Sequence, residues 1–199
     1  MKVVAFNGSP RKDGNTFLAL NIVLDELKNE GIKTELFQIG SEQIKSCNVC
    51  LICKKTGDGF CAIDDDLVNK ALENIYESEG LIIGSPTYFG SLTPQTKAFI
   101  DRVGYCARAG GFKLKRKVAA GIAIARRTGS VDVCNEINNL FFLNQCIIAA
   151  STYWNIVFAN AKGEVMQDKE GVDTLKTLGQ NMAWLLKKLY SWLFLIVKI

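Results

Sequence analysis

Short strand-like runs alternate along this chain with longer segments whose apolar residues recur at helical spacing. The strand-like runs cover residues 2–7, 34–39, 80–85, 118–125 and 152–158. The run at 80–85 (GLIIGS) is apolar, as expected of a central parallel strand that is covered on both faces. Strands that alternate with crossover helices predict an α/β fold, in which helices cover both faces of a five-stranded parallel sheet.

The helical segments cover residues 15–30, a stretch from the acidic run 64–66 to about 78, and residues 94–104, 131–149 and 172–189. At 199 residues and 48% apolar content, the chain has the size and composition of one globular domain with a full core. We therefore predict a single domain over residues 1–199. A cysteine-rich insertion is predicted at 40–63, and an apolar helix and tail at 172–199.

The loop after the first strand-like run has the character of an anion site. It reads GSPRKDGNT at residues 8–16 and leads into a helix, at the sheet edge where ligands bind in folds of this kind. Its hydroxyl and amide side chains, Arg11 and the helix N-terminus all suit a phosphate group. It matches neither a Walker loop nor G-x-G-x-x-G. The alternative interpretation is an ordinary polar turn.

Two further loops follow buried strands at the same predicted edge. Residues 84–90 read GSPTYFG, which combines peptide groups with an aromatic pair and suits a flat ring that has a polar edge. Residues 126–130 read RRTGS, a basic loop able to close over a ligand. The alternatives are that Tyr88 and Phe89 belong to the core and that 126–130 is a solvated turn.

Four cysteines, at positions 47, 50, 53 and 61, form the pattern C-x2-C-x2-C-x7-C. Four thiolates on a tightly coiled segment are typical of an iron–sulfur cluster. A structural zinc ion and a metal-free thiol patch are the alternatives, although zinc sites usually place two C-x2-C pairs well apart. The sequence contains no histidine, which excludes Ser-His-Asp triads and histidine-ligated metals.

The cysteine content, the net charge and the apolar C-terminal segment indicate the cellular compartment and the kind of ligand and partner. Seven cysteines without a signal peptide favour a reducing cytoplasm, and Cys106, Cys134 and Cys146 are expected to be buried structural thiols. A net charge of +4 suits a phosphate-bearing ligand and falls short of a nucleic-acid-binding surface. The apolar segment 184–199 is shorter than the roughly 20 residues of a membrane span, so we expect a subunit interface there rather than a surface anchor.

Together these segments resemble the flavodoxin-like NAD(P)H-dependent FMN reductases, and among them the iron–sulfur flavoproteins. The matching stretches are GSPRKDGNT, the cysteine motif with CAIDDD after it, GSPTYFGSLTPQTKAFIDR, RRTG and STYWN. The resemblance spans roughly residues 1–189 and implies a three-layer sandwich with strand order 2-1-3-4-5. It also implies an FMN-dependent oxidoreductase, forming a homodimer or homotetramer, that exchanges electrons with small-molecule or protein partners, such as NAD(P)H.

The resemblance also implies which residues form the sites. Those expected to hold the FMN phosphate are Ser9, Arg11, Asn15 and Thr16. Those expected to hold the isoalloxazine ring and ribityl chain are Pro86, Thr87, Tyr88, Phe89 and Gly90. The basic loop adds Arg126, Thr128 and Gly129. The expected ligands of a 4Fe-4S cluster are Cys47, Cys50, Cys53 and Cys61. The alternatives are a cluster-free FMN or quinone reductase, a flavodoxin-type electron carrier, and a cysteine-rich redox sensor without FMN.

Overall fold

The computed structural model describes residues 1–190. The elements of the first half are β1 (Lys2–Asn7), α1 (Asn15–Asn29), β2 (Lys33–Gln38), α2 (Ile52–Thr56), α3 (Val68–Tyr76) and β3 (Gly80–Pro86). Those of the second half are α4 (Pro94–Ala109), β4 (Val118–Ala125), α5 (Ser130–Leu143), β5 (Ile147–Ile148), β6 (Ile156–Phe158), a short 3-10 helix (Glu164–Gln167) and α6 (Lys169–Tyr190). The strands alternate with helices as the sequence predicts.

The strands form one parallel sheet in the order β2-β1-β3-β4-β5, and β6 also pairs with β4. This confirms the predicted strand order. The order reverses between β1 and β3, so the chain leaves β1 and β3 in opposite directions at the carboxyl edge of the sheet. That reversal opens a crevice beside the ends of the two strands, which is where open α/β sheets bind ligands.

Both faces of the sheet are covered by helices because successive strand residues point to opposite sides. In β1, Val4 and Phe6 face the layer that contains α3, α4 and α5. Val3 and Ala5 face the opposite layer, formed by α1 and α6. Every residue of β4 is buried, which explains why that strand has a continuous apolar sequence rather than an alternating one.

The edge of the sheet departs from the prediction. The helix predicted at 131–149 ends at Leu143, and the single strand predicted at 152–158 is replaced by two short strands, β5 and β6. Gln145 adopts a positive φ of 61°, which interrupts the helix. Ile147 and Ile148 then pair with β4, as β-branched residues readily do. The chain leaves the ladder and returns to it at Ile156, so the sheet has six strands rather than five.

The last described helix packs against α1. Its apolar face includes Leu175, Leu178, Met182 and Leu186, all fully buried. Among residues 1–190, no helix is both long and apolar enough to cross a bilayer. The part of the predicted apolar tail at 191–199 lies outside the described residues.

Candidate functional site

A cleft of about 230 Å³ lies at the carboxyl ends of β1, β3 and β4. The predicted flavin-site residues that line it are Ser9, Arg11, Asn15, Thr16, Pro86, Thr87, Tyr88 and Arg126. Three loops that are far apart in the sequence are therefore brought together. Phe89, Gly90, Thr128 and Gly129 are not among the lining residues, although they lie in the loops that form the rim.

The charge of the cleft suits an anion. Arg11 and Arg126 line it, and within residues 1–190 no carboxylate does. The cleft also includes Asn15 and Thr16 from the first turn of α1, whose N-cap residue, Gly14, makes no side-chain capping bond. An uncapped helix start leaves backbone amides and a partial positive charge directed at a ligand. Phosphate is the group that this combination binds most readily.

The first loop is held in shape by two buried or half-buried amides that sequence reasoning missed. Asn7 Oδ1 accepts a hydrogen bond from the Ser9 amide at 3.0 Å, and Asn7 Nδ2 donates to Gln38 Oε1 at 2.7 Å. Gln38 Nε2 in turn donates to the Ser9 carbonyl at 2.6 Å. The available signal was an amide residue at the last position of each of two adjacent strands, since such groups need partners. The loop is thereby fixed without a ligand.

Close packing connects the same loop to the start of α4. Thr93, fully buried, caps α4 by accepting from the Thr96 amide and donates to the Gly8 carbonyl at 2.9 Å. A Cβ on Gly8 would lie 2.0 Å from Thr96 Oγ1 and 2.8 Å from the Gly84 carbonyl. Only glycine fits there, so the first loop and α4 form one packed unit.

Two lining residues differ in what they can offer a ligand. Asn15 Nδ2 donates to the Ala161 carbonyl at 2.7 Å, and its Oδ1 accepts from the amides of Gly163 and Val165. The Asn15 side chain is thus already bonded to the 161–165 segment. Thr87 Oγ1, by contrast, is buried and has no hydrogen-bond partner anywhere in the described part of the chain. A buried hydroxyl without a partner is costly, and a bound ligand would satisfy it.

The aromatic turn after β3 projects from the rim of the cleft. Tyr88 and Ser91 exchange two backbone hydrogen bonds, at 2.9 and 3.0 Å. This turn places Phe89 at a φ of 49° with its side chain fully exposed. A left-handed conformation at a bulky residue is unfavourable, and such strain is often found at ligand sites. Gly90 lies against the basic loop, since a Cβ on Gly129 would be 3.1 Å from the Gly90 Cα.

Three further lining residues were not predicted: Ile124, Ala159 and Asn160. Ile124 lies near the end of β4, and the other two directly follow β6. The signal available in the sequence was positional, because the loop after the last strand opens at the same edge as the other three. It was missed because the sequence around 159–160 shows no ligand-binding motif.

The four motif cysteines lie around a second cavity, of about 340 Å³. Its thiols are those of Cys47, Cys50, Cys53, Cys61 and, unexpectedly, Cys106 from α4. Cys47 and Cys50 are exposed, whereas Cys53 and Cys106 are buried. Nowhere in residues 1–190 do three potential ligands converge closely enough for a single metal ion. Thiols spread around a cavity suit a multi-iron cluster, in which each iron takes one sulfur, better than a zinc ion.

A buried arginine holds the two arms of the cysteine segment together. Arg102, on α4, donates from Nε to Cys61 Sγ at 3.3 Å and from its terminal nitrogens to the carbonyls of Lys45 and Ile63, at 3.2 and 2.7 Å. It also forms an ion pair with Asp66, and both side chains are almost fully buried. The guanidinium therefore supplies a positive charge next to the thiols.

Other contacts fix the ends of the cysteine segment. The Asn69 side chain makes two hydrogen bonds to the backbone of Cys61. It accepts one from the Cys61 amide and donates one to the Cys61 carbonyl, each at 2.9 Å. Val49 and Leu51 adopt left-handed φ values of 56° and 60°, which coil the backbone between the first three cysteines. For a β-branched residue such as Val49, that conformation is a clear outlier. The segment is held in a coiled shape by the surrounding structure.

The three cysteines outside the motif are largely buried, but they are not equivalent. Burial raises the pKa of Cys134 to about 11 and the pKa of Cys146 to about 12. Their thiols approach the carbonyls of Gly121 and Leu114, at 3.6 and 3.4 Å, as structural cysteines do. Burial, followed by the charges of Cys61 and Cys53, raises the pKa of Cys106. Cys106 therefore differs from the predicted structural role in that it also lines the cavity.

Comparison with known proteins agrees with this arrangement. Residues 1–161 match the family described as NADPH-dependent FMN reductase. An iron-sulfur flavoprotein of Methanocaldococcus jannaschii is 32% identical over 194 residues, which cover 94% of this chain and 98% of that protein. An iron-sulfur flavoprotein of Archaeoglobus fulgidus is 34% identical over 156 residues, 78% of this chain and 75% of that protein.

A solved structure shares the fold. The crystal structure of RosB with the bound intermediate 8-demethyl-8-formylriboflavin-5'-phosphate superposes with a TM-score of 0.76. The matched region covers 96% of this chain and 81% of that chain, at 18% sequence identity. At this identity the likeness shows the fold alone, which is the flavodoxin-like arrangement described above.

Proposed function

Since this chain belongs to the NADPH-dependent FMN reductase family and is an FMN-dependent oxidoreductase, we propose that it passes electrons between a reduced donor, FMN and a 4Fe-4S cluster. The observation that carries the proposal is that the four motif cysteines line one cavity in a domain that also contains the flavin cleft. The two relatives described above are iron-sulfur flavoproteins, which supports the proposal.

The cleft suits FMN through its charge and its unpaired hydroxyl. Arg11 and the first turn of α1 would bind the phosphate, together with the hydroxyls of Ser9 and Thr16. Thr87 Oγ1 would gain the hydrogen-bond partner that it lacks within residues 1–190. When bound, FMN supplies the electron-transfer chemistry, and the chain supplies binding, orientation and exclusion of water.

The rim would hold the ring system. The residues proposed to flank the isoalloxazine and ribityl groups are Pro86, Thr87, Tyr88, Phe89 and Gly90. The residues proposed to close over them from the basic loop are Arg126, Thr128 and Gly129. The exposed Phe89 side chain supports this role, because an aromatic ring held in solvent by a strained turn is available for stacking.

The cysteine cavity would hold the cluster through Cys47, Cys50, Cys53 and Cys61. Four thiolates carry negative charge, and Arg102 provides a buried cation that hydrogen-bonds one of the sulfurs. Such hydrogen bonds to ligand sulfurs tune the reduction potential of iron–sulfur clusters. A cluster gives the protein a one-electron partner for the flavin, which accepts electrons in pairs from a nicotinamide.

A second candidate is a cluster-free NAD(P)H-dependent FMN or quinone reductase. It is supported by the match of residues 1–161 to the family described as NADPH-dependent FMN reductase. In that case the thiols form a metal-free patch beside the flavin domain. For either function we propose NAD(P)H or another reduced carrier as donor, a homodimer or homotetramer, and a cytoplasmic location, which the seven free thiols support.

The test is anaerobic purification followed by flavin, iron and sulfide analysis of one sample. The cluster-bearing function predicts one FMN and about four irons and four sulfides per chain. Flavin without iron would leave the cluster-free reductase. Stopped-flow mixing with NADPH or NADH then identifies the donor by the rate of flavin bleaching. A protein that takes up no FMN even in excess would contradict both candidates.

A further inference from the structure

Cys106 lies on α4 one helical turn after Arg102, so both side chains are on the same face of the helix. That face borders the cysteine cavity, and Cys106 is only 2% exposed. The sequence motif contains four cysteines, but the cavity is lined by five. The fifth comes from a rigid 16-residue helix rather than from the coiled segment.

Cys53 and Cys61 line the same cavity as Cys106. These two are the less exposed members of the motif, whereas Cys47 and Cys50 lie at the exposed side of the cavity. Unlike Cys134 and Cys146, Cys106 donates to no backbone carbonyl within the described chain. Within the described residues, Cys106 therefore shares a cavity with the motif cysteines and Arg102, without the carbonyl contact of the two structural cysteines.

We propose that Cys106 is a fifth thiol of the iron–sulfur site that can replace Cys53 or Cys61 as an iron ligand. The proposal rests on the cluster of the proposed function. In the replacement, the sulfur–iron bond of Cys53 or Cys61 would break, and the released thiolate would take up a proton. The Cys106 S–H bond would break, its proton would go to solvent, and a sulfur–iron bond would form at the vacated iron. No electron is gained or lost, and the cluster keeps four thiolate ligands.

The charge of the cavity favours this exchange. Arg102 is fixed by Asp66 and by the carbonyls of Lys45 and Ile63, so it stays in place when Cys61 is altered. It would then keep its positive charge in the cavity that Cys106 also lines. Because the helix holds the backbone of Cys106, its thiol would reach the vacated iron by rotation of the side chain.

The experiment measures iron and sulfide per chain after anaerobic reconstitution with ferrous iron and sulfide, together with absorbance near 400 nm. The single variants are Cys61→Ser, Cys53→Ser and Cys106→Ser, and the double variants are Cys61→Ser/Cys106→Ser and Cys53→Ser/Cys106→Ser. Cys61→Ser/Cys134→Ser is the matched control, since Cys134 is equally buried but lies outside the cavity. FMN titration of each iron-free variant checks that the domain is folded.

We expect the wild type, Cys106→Ser and at least one of the two single motif variants to retain about four irons per chain. The corresponding double variant with Cys106→Ser should fall below about one iron, while the Cys134 control matches its parent. If both single motif variants lose the cluster while the wild type holds it, Cys106 does not substitute and only this proposal fails. A wild type that binds FMN but no iron would overturn the cluster and this proposal together.

Discussion

Arg102 and Cys61 are joined by a hydrogen bond from Nε to Sγ at 3.3 Å, although they are 41 positions apart in the sequence. The arginine lies on α4, and the cysteine lies in the loop between α2 and α3. The same guanidinium pairs with Asp66, whose side chain is 3% exposed. Besides the bonds from Asn69, the cysteine segment is thus attached to α4 through a buried cation.

Arg102→Met should destabilise the iron-free protein strongly. The substitution leaves the Asp66 carboxylate buried without a cation, and breaking such a pair costs about 3–5 kcal/mol. Chemical denaturation of wild type and variant gives the free energy of unfolding. Adding Asp66→Leu should recover part of the loss, because the unpaired charge is then removed as well.

The control for this variant is Lys97→Met, which breaks an ion pair with Asp101 on the same helix. Both of those side chains are about half exposed, so the expected loss is at most about 1 kcal/mol. Equal losses for Arg102→Met and Lys97→Met would show that burial of the Arg102–Asp66 pair does not matter.

Arg11→Ala should weaken FMN binding by about 10-fold, because the variant loses a charge-assisted bond to the phosphate worth about 1.4 kcal/mol. Riboflavin, which lacks the phosphate, should bind wild type and variant equally. Flavin fluorescence quenching measures both affinities. Lys12→Ala is the matched control, since Lys12 is a neighbouring cation that does not line the cleft. A parallel loss for riboflavin would place Arg11 away from the phosphate.

Phe89→Ala should weaken FMN and riboflavin binding to the same extent, by about 2-fold to 12-fold, the range expected for loss of one aromatic stacking contact. The stability of the flavin-free protein should not change, because the Phe89 side chain is fully exposed. The same titrations and a thermal melt provide the measurements. Phe142→Ala removes another exposed phenylalanine, on α5, and should affect neither quantity.

Thiol alkylation should follow exposure and thiolate content. In iron-free protein at pH 8, Cys47 and Cys50 should react first with iodoacetamide because they are exposed. Burial raises the pKa of Cys134 to about 11, so this thiol is almost wholly protonated at pH 8 and should react more as the pH approaches 11. Peptide mapping by mass spectrometry locates the label.

Cluster loading should change that pattern in one respect. Cys47 and Cys50 should become protected, because thiolates bound to iron no longer react freely. Cys134 should label at its former rate. Unchanged labelling of Cys47 and Cys50 in iron-loaded protein would mean that the iron is held elsewhere.

The layered fold could be predicted from the sequence because strand and helix periodicities differ and β3 and β4 are long apolar runs. The two short strands at the edge of the sheet could not be predicted in this way. Ile147 and Ile148 form a strand of only two residues, directly after a helix whose apolar spacing continues through them. Nothing in that spacing shows that Gln145 turns to a positive φ and ends the helix.

The predicted site residues came from loops that sequence position places at one edge of a parallel sheet. The contacts that hold those loops in shape are made by pairs of side chains that lie far apart in the sequence. Asn7 with Gln38, and Arg102 with Asp66, join residues 31 and 36 positions apart, and no periodic pattern identifies such partners. Cys106 was predicted to be buried, but its position in the cysteine cavity depends on which face of α4 meets the inserted segment.

Helix α4 begins next to the first loop, where Thr93 donates a hydrogen bond to the Gly8 carbonyl. The same helix places Arg102 at the cysteine cavity. Arg102 lies nine positions after Thr93, a distance of about 14 Å along the axis. A helix of this length behaves as a stiff rod, so a tilt at one end displaces the other. Helix α4 therefore fixes the spacing between the first loop and the cysteine cavity, and an insertion or deletion between Thr93 and Arg102 would change that spacing.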